Sequence, residues 1–255
     1  MSKISIKSIR NVIIRNYMSF RNLFKISIMP NLVDPLFYLI AMGFGVGSYL
    51  TMVGGMSYRD FIITGLISAT AMTAATSETT VNAFIQFRLE KTYDAMLMTP
   101  INTGDIVIGQ SIWAGIRAVI FGGIFFLVSI FISGNFHISF LLIPVVLFIV
   151  GYLFGILGLS FTYLAPSREF LNYYNVLVIR PLYMFSDTFF PISSMPLIVQ
   201  KITWLSPLYH ASKIVRGIWI NEFKNLFPHF IWLITVSVLL SLIPMYILNR
   251  SYFKS

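Results

Sequence analysis

The chain has 255 residues, of which 57% are hydrophobic and 11% are charged, and its mean hydropathy is +0.81. A soluble domain of this length carries about 25% charged residues, so this composition excludes a soluble globular fold and predicts that lipid surrounds much of the chain. The net charge of +9 does not indicate a nucleic-acid partner, because six of the 18 basic residues lie in the first 25 positions and no soluble basic domain follows.

Residues 3–28 predict an amphipathic helix. At about 100° per residue, basic side chains gather on one side and apolar side chains on the other. The basic side consists of Lys3, Lys7, Arg10, Arg21 and Lys25. This pattern favours a helix that lies in the membrane interface, rather than one packed on a soluble core that the rest of the chain does not offer. The segment lacks the uninterrupted apolar run and cleavage site of a secretory signal.

Six later segments are long and apolar enough to cross about 30 Å of hydrocarbon, which takes ~20 helical residues. They are residues 30–52, 59–86, 105–133, 139–165, 171–188 and 226–248. Six spans return both termini to one side of the membrane. The basic residues that share this side predict that it is the cytoplasmic side of a bacterial inner membrane. Beyond the N-terminal cluster, these are Arg88, Lys91, Arg168, Arg250 and Lys254.

The link between the second and third spans, residues 88–99, predicts a short amphipathic helix that ends before Pro100. Its charged or polar residues are Arg88, Glu90, Lys91, Thr92 and Asp94, and its apolar residues are Leu89, Tyr93, Met96 and Leu97. An apolar ridge on the cytoplasmic face fits a groove in a partner protein. The alternative is a helix that rests on the bilayer surface.

The charged residues within the predicted spans include Glu78, Arg117, Arg180 and Asp187. Ionisable groups are costly in hydrocarbon and usually face a bundle interior or a cavity. One interpretation is that Arg117 or Arg180 contacts an anionic group of a substrate. The other, which the sequence favours, is that Glu78–Arg117 and Arg180–Asp187 are structural ion pairs.

Residues 189–225 interrupt the pattern of spans, because Pro191, Pro196 and Pro207 divide an apolar segment into pieces too short to cross the bilayer. Short helices that enter the outer leaflet and return would satisfy their backbone groups internally and against the bundle. The basic residues of this segment would then lie outside, against the positive-inside pattern. They are Lys201, Lys213, Arg216 and Lys224.

Catalytic and nucleotide-binding motifs are missing from the sequence. It contains no G-x-x-x-x-G-K-[ST] phosphate loop, and it has no cysteine. His137, His210 and His229 lack metal-ligand spacing, and no catalytic triad or H-E-x-x-H motif is present. The sequence therefore predicts that this chain is not an enzyme and holds no cofactor. A membrane-embedded lipid-modifying enzyme and a passive channel are the alternatives.

Four stretches together resemble a known family. They are NLVDPLFYLIAMGFGVG at 31–47, SYRDFIITGL at 57–66, TYDAMLMTP at 92–100 with GDIVIG at 104–109, and the region from Phe190 through LSPLYH, which ends at His210, to Arg216. The chain resembles the ABC-2 type permeases, the membrane subunits of ATP-binding-cassette exporters, and most of all the branch that exports nodulation factors, polysaccharides and drugs.

The resemblance implies an all-α membrane protein with an interface helix (1–29) and a six-helix transmembrane domain (30–255). Residues 88–99 would be the coupling helix, and residues 189–220 the outer re-entrant region that caps the pathway. The implied partners are two ABC ATPase subunits, which bind ATP and Mg²⁺, and a second permease. The second permease is expected to be an identical copy in a homodimer, and a related permease chain is the alternative. An amphiphile (a lipid-linked saccharide, a lipid or a hydrophobic drug) would pass by alternating access. One interpretation is that five aromatic side chains line its path, and the other, which helical spacing favours, is that they pack or face lipid. These are Phe37, Tyr38, Phe44, Tyr183 and Phe185.

Overall fold

The computed structural model describes residues 4–50 and 52–253, and these are almost entirely helical. The predicted basic positions Lys3 and Lys254, and the side chain of Lys25, lie outside the described part. The α-helices are α1 Ile6–Tyr38, α2 Tyr58–Ser77, α3 Thr92–Leu97, α4 Thr103–Ser133, α5 Ile143–Leu164, α6 Leu171–Tyr174, α7 Arg180–Phe185, α8 Leu197–Trp204, α9 Pro207–Trp219, α10 Leu226–Leu240 and α11 Leu242–Phe253. A hairpin of β1 Met52–Val53 and β2 Met56–Ser57 joins the first helix to the second.

Several helices continue through wider π-helical turns, and three short 3₁₀ segments are also present among the described residues. The π segments are Leu39–Gly45, Glu78–Asn82, Ile85–Leu89 and Asn175–Ile179. The 3₁₀ segments are Val46–Ser48, Ile138–Leu142 and Ile192–Ser194. The chain is therefore helical without interruption from residue 58 to residue 89, apart from local changes of pitch.

The predicted boundary between an interface helix and a first span, at residues 29 and 30, is not marked by a break. The first helix runs from Ile6 to Tyr38 and passes Pro35. Membrane helices tolerate proline where neighbouring groups satisfy the freed carbonyls. Ser5 caps the start of this helix, and its backbone N–H donates to Asp105 at 2.9 Å. Asp105 also closes a capping box with Asn102 at the start of α4, so the two helix starts are fixed together.

Helices α4 and α5 pack closely because small residues line their contact. A Cβ added to Gly151 would lie 2.9 Å from the Cα atom of Gly115 and 3.0 Å from the carbonyl oxygen of Ala114. Lipid tails are as apolar as the side chains, so the hydrophobic effect does not drive these helices together. Close backbone approach of this kind supplies van der Waals packing energy instead. These helices form the centre of the bundle, with α2 and α9 against them.

Among the residues that the structure describes, four helical segments are long and apolar enough to cross a membrane, and they overlap predicted spans. They are Ser27–Ser48, Thr103–Ser133, Ile138–Leu164 and Leu226–Tyr252. The other two predicted spans are helical but differ in kind: residues 58–89 are rich in polar side chains, and residues 171–185 are short. The chain is therefore a helical membrane protein, and the count of six spans remains a prediction.

The proline-rich segment folds as a 3₁₀ turn followed by α8 and α9. Pro196 precedes α8 and Pro207 occupies the first turn of α9, positions where the missing N–H costs nothing. Pro191 precedes the 3₁₀ turn. With 8 and 13 residues, α8 and α9 are each shorter than a crossing requires. Helix α9 packs against α2, α5 and α10.

Candidate functional site

The predicted coupling segment has its aromatic side turned inward. Helix α3 begins after Lys91, which adopts the left-handed conformation with φ 50°. Tyr93 is 0% exposed, and its ring centroid lies 5.7 Å from that of Phe87 and 6.2 Å from that of Tyr163. Burial raises the pKa of Tyr93 far above its usual range.

The prediction of an exposed apolar ridge through Tyr93 and Met96 is therefore wrong, because both side chains complete a cluster at the ends of this chain's own helices. The apolar side chains that face outward are Leu89, 62% exposed, and Met98, 89% exposed, with Leu97 half-buried. Arg88, Glu90 and Lys91 are exposed, whereas Thr92 and Asp94 are half-buried. Asp94 accepts a hydrogen bond of 2.5 Å from the hydroxyl of Tyr252, which ties α3 to the last helix.

A polar cleft of about 400 Å³, here called the inner cleft, opens beside this segment. Its walls are α1 and the π-helical end of residues 58–89, and Arg117 of α4 reaches it. The lining consists of Arg15, Asn16, Ser19, Phe20, Asn22, Ser27, Glu78, Asn82, Ile85, Gln86, Glu90 and Arg117. A chain of amide hydrogen bonds joins its walls, from Asn16 to Gln110 at 3.0 Å and from Gln110 to Gln86 at 2.7 Å.

The ion pair of Glu78 and Arg117, one of the two predicted, is present and buried. Glu78 accepts hydrogen bonds from Arg117 Nη1, from Trp113 Nε1 at 3.0 Å and from Asn82 Nδ2 at 2.6 Å. Glu78 is 4% exposed and Arg117 is 3% exposed. Three donors therefore satisfy the carboxylate, as the burial of a charge requires.

The second predicted pair, Arg180–Asp187, is wrong. Asp187 follows the end of α7 in the left-handed conformation, φ 62°, which turns it away from Arg180 and into the bundle. It pairs there with Arg216 and with Lys213, whose Nζ lies 2.9 Å from Asp187 Oδ2. Arg180 is exposed.

Arg216 is the centre of a buried cluster, here called the outer cluster after the predicted outer re-entrant region that contains it. Its Nη2 donates to the carbonyl of Asp187 at 2.8 Å and its Nε to Thr64 Oγ1 at 3.3 Å. Its guanidinium lies 3.7 Å from the ring centroid of Phe61. Because Phe61 and Thr64 belong to α2, this cluster attaches α9 and the turn after α7 to the second helix.

A second cleft, here called the lateral cleft, has a volume of about 680 Å³. Asn31, Asp34, Pro35, Tyr38, Thr70, Thr73, Asn172, Asn175, Ile179, Arg180, Tyr183 and Met184 line it. The rings of Tyr38 and Tyr183 lie 5.5 Å apart. Of the five predicted pathway aromatics, these two line the lateral cleft, whereas Phe37, Phe44 and Phe185 are exposed outside its lining.

Two of the three histidines, distant in sequence, are in contact. His210 Nδ1 lies 2.6 Å from His229 Nδ1, and His210 Nε2 lies 2.8 Å from the carbonyl of Trp204, to which it donates. Burial lowers the pKa of His210 to about 4, so this ring is neutral near pH 7. Within residues 4–50 and 52–253, no group of three His, Cys, Asp or Glu side chains is placed to hold a metal ion.

Comparison with known proteins shows the family to which this chain belongs. The family model described as ABC-2 type transporter matches residues 8–220. The chain belongs to the ABC-2 type transporter family. It is 36% identical over 202 residues to nodulation protein J of Rhizobium leguminosarum bv. viciae, covering 79% of this chain and 78% of that protein.

Two further relatives of this ABC-2 type transporter chain are a second nodulation protein and a transport permease. Nodulation protein J of Rhizobium meliloti (strain 1021) is 35% identical over 208 residues, covering 82% of this chain and 79% of the relative. The inner membrane transport permease YadH of Escherichia coli (strain K12) is 23% identical over 186 residues, or 72% of each chain. The resemblance seen in the sequence is confirmed, and the chain is a transport permease of the membrane.

Proposed function

We propose that this permease exports an amphiphile across a bacterial inner membrane as one of two copies in a homodimer, driven by two ABC ATPase subunits that bind ATP and Mg²⁺. Six spans would place both termini in the cytoplasm. The observation that carries the proposal is the unbroken helical run from residue 58 to residue 89, which joins the link before α4 to the outer cluster around Arg216.

At its inner end the run leads into the segment that would contact the ATPase. Leu89 and Met98 flank α3 and expose their apolar side chains, and Glu90 and Lys91 stand between them as exposed charges. Apolar anchors beside charged residues suit a groove on a partner. Tyr93 and Met96 would then transmit the displacement, because they are packed against Phe87 at the end of the same run.

At its outer end the run is fixed to the re-entrant region. A Cβ on Gly65 would meet the Cα atom and the carbonyl oxygen of Thr188, each at 2.7 Å, so α2 and the turn after α7 are in backbone contact. Arg216 adds its hydrogen bonds to Thr64 and to the carbonyl of Phe61. A displacement of α2 would therefore carry the outer region with it, because packed contacts transmit strain.

The lining of the lateral cleft supports the proposal that the substrate is an amphiphile. It combines the rings of Tyr38 and Tyr183 with polar groups of Asn175, Asp34 and Arg180. Such a lining offers stacking surfaces to one part of a ligand and hydrogen bonds to another. In the proposed cycle, closure of the ATPase dimer moves α3 and the 58–89 run, and the cleft opens alternately to the two sides.

The coupling role is tested by replacing one exposed methionine at each end of the molecule. Met98→Glu places a charge beside α3, and Met52→Glu places one in the hairpin before α2, where the methionine is 65% exposed. Each permease is co-expressed with its ABC ATPase and purified in detergent. We expect Met98→Glu to reduce the retained ATPase about tenfold or more, as loss of an interface anchor does, and Met52→Glu to leave it unchanged.

Equal retention by the two variants would place the ATPase elsewhere on the surface and overturn the coupling assignment. The same preparation separates the alternatives. A passive channel would conduct ions in liposomes without the ATPase, and a lipid-modifying enzyme would convert lipid without ATP.

A further inference from the structure

Ten of the twelve side chains that line the inner cleft are polar or charged. The side chains that face it from residues 58–89 include Glu78, Asn82 and Gln86, spaced by four residues along one helix face. Asn16 and Asn22 face them from α1. A hydrogen-bonding cavity of this kind between helices in the cytoplasmic half of a membrane protein suits a lipid headgroup better than an acyl chain.

The base of the inner cleft is balanced in charge but leaves one buried donor unpaired. Arg117 Nη1 and Glu78 neutralise each other. Arg117 Nε is buried and has no hydrogen-bond partner among the residues that the structure describes. Arg117 lines the cleft and is 97% buried, since its exposed fraction is 3%. An unsatisfied buried donor is costly, and an acceptor atom of a bound group would remove this cost.

The mouth of the inner cleft carries one charge of each sign. Arg15 Nη2 donates to the hydroxyl of Thr92 at 3.4 Å, and that hydroxyl donates to Glu90 Oε2 at 3.3 Å. A single hydroxyl therefore separates the guanidinium from the carboxylate. Arg15 is half-buried and Glu90 is exposed, so both are within reach of a group that enters from the membrane surface.

We propose that the inner cleft binds the headgroup of a zwitterionic phospholipid of the phosphatidylethanolamine type. The phosphate contacts Arg15 and accepts from Arg117 Nε, and the ammonium contacts Glu90. The amides of Asn82 and Gln86 hydrogen-bond the glycerol ester oxygens, and Phe20 and Ile85 contact the first methylene groups of the acyl chains. The proposal rests on the proposed function only in that it places this end of the bundle at the cytoplasmic leaflet.

The charges at the mouth decide against other headgroups. An anionic phosphatidylglycerol brings no cation to Glu90 and is repelled by it. An uncharged glycolipid satisfies the amides but leaves both mouth charges unpaired. A zwitterion pairs with both and leaves the site neutral, which matches the balanced charges at the base.

The test uses the full-length permease, delipidated in detergent and mixed with equal amounts of dioleoyl phosphatidylethanolamine, dioleoyl phosphatidylglycerol and monoglucosyl diacylglycerol. Native mass spectrometry reports which lipid stays bound. We expect phosphatidylethanolamine to be retained about threefold or more above each of the others, the size of effect that a partly exposed ion pair provides. Glu90→Gln should abolish the preference over phosphatidylglycerol, because the ammonium loses its partner.

Glu169→Gln is the matched control, since Glu169 is an exposed carboxylate in the loop after α5 and lines a different cleft from the inner one. It should keep the preference of the unmodified chain. Arg15→Gln should lower retention of both phospholipids relative to the glycolipid. The proposal is overturned if Glu90→Gln and Glu169→Gln retain lipids in the same order, or if the unmodified chain retains phosphatidylglycerol or the glycolipid best. Retention of the ATPase, measured separately, reports the proposed function whichever lipid binds.

Discussion

The two ion pairs expected within the spans show which residue contacts a sequence can give. Glu78 and Arg117 lie on two long helices with an extensive contact, so their depth in the bilayer sufficed to predict the pair. Arg180 and Asp187 are closer in sequence, but α7 ends between them at Phe185. The left-handed backbone at Asp187 then directs its carboxylate to Arg216. The spacing of two residues in sequence does not show where a carboxylate points when a single backbone φ angle, here that of Asp187, sets its direction.

Breaking the buried pair should destabilise the permease strongly. Arg117→Gln leaves Glu78 without its cation, and removing one partner of a buried pair typically costs about 3–5 kcal/mol. Arg180→Gln should change the free energy of unfolding by less than about 0.5 kcal/mol, because Arg180 is exposed. Unfolding in mixed micelles gives both values.

The double variant Glu78→Gln with Arg117→Gln separates structure from transport. It removes both charges together and should recover part of the stability that Arg117→Gln loses. If the double variant is stable but cannot transport, Arg117 has a role toward substrate. If the single variant unfolds no more easily than Arg180→Gln, the pair contributes nothing to the fold.

At the scale of elements, hydropathy located the helices but not their continuity or their faces. Composition cannot show that α1 continues past residue 30 and through Pro35 without a break. A proline within a membrane helix is tolerated only where neighbouring groups satisfy the freed backbone groups, and composition does not reveal those neighbours. Nor can it show that Tyr93 turns inward, since an aromatic residue on an amphipathic helix fits a partner groove and a cluster within the same chain equally well. Both depend on the packing of residues far apart in sequence.

The contact of α2 with the turn after α7 makes a prediction at this scale. Gly65→Ala would place a methyl group 2.7 Å from the backbone of Thr188, so the turn must shift, at a cost of about 1–3 kcal/mol. Gly123→Ala is the matched change, because a Cβ there meets nothing within 4 Å. It should stabilise the helix by up to about 1 kcal/mol. Unfolding of the two variants in the same micelles measures the difference, and equal stabilities would show that α2 and the turn can separate freely.

For the whole molecule, composition was sufficient to predict a helical membrane protein but not the number of membrane crossings. Low charge content and long apolar runs predicted a helical membrane protein, and the structure has that architecture. The polar inner and lateral clefts were not predictable, because each is assembled from three helices whose polar residues are dispersed along the sequence. The short 171–185 helix and the polar 58–89 run also leave the number of crossings to experiment.

Single cysteines can count the crossings, because the natural chain has none. Asn11→Cys in α1, Ser167→Cys after α5 and Ser251→Cys in α11 would lie on the cytoplasmic side under the six-span prediction, and Ser193→Cys before α8 would lie outside. Asn11, Ser193 and Ser251 are exposed and Ser167 is half-buried, so each thiol is accessible to a membrane-impermeant maleimide. In intact cells with the outer membrane permeabilised, we expect labelling at position 193 alone, and labelling at all four positions after the inner membrane is disrupted. Labelling at 11 and 193 but not at 251 in intact cells would give an odd number of crossings, because the two ends of an even-span protein share one side. That result would also move α3 or the inner cleft away from the cytoplasm, where both proposals require them.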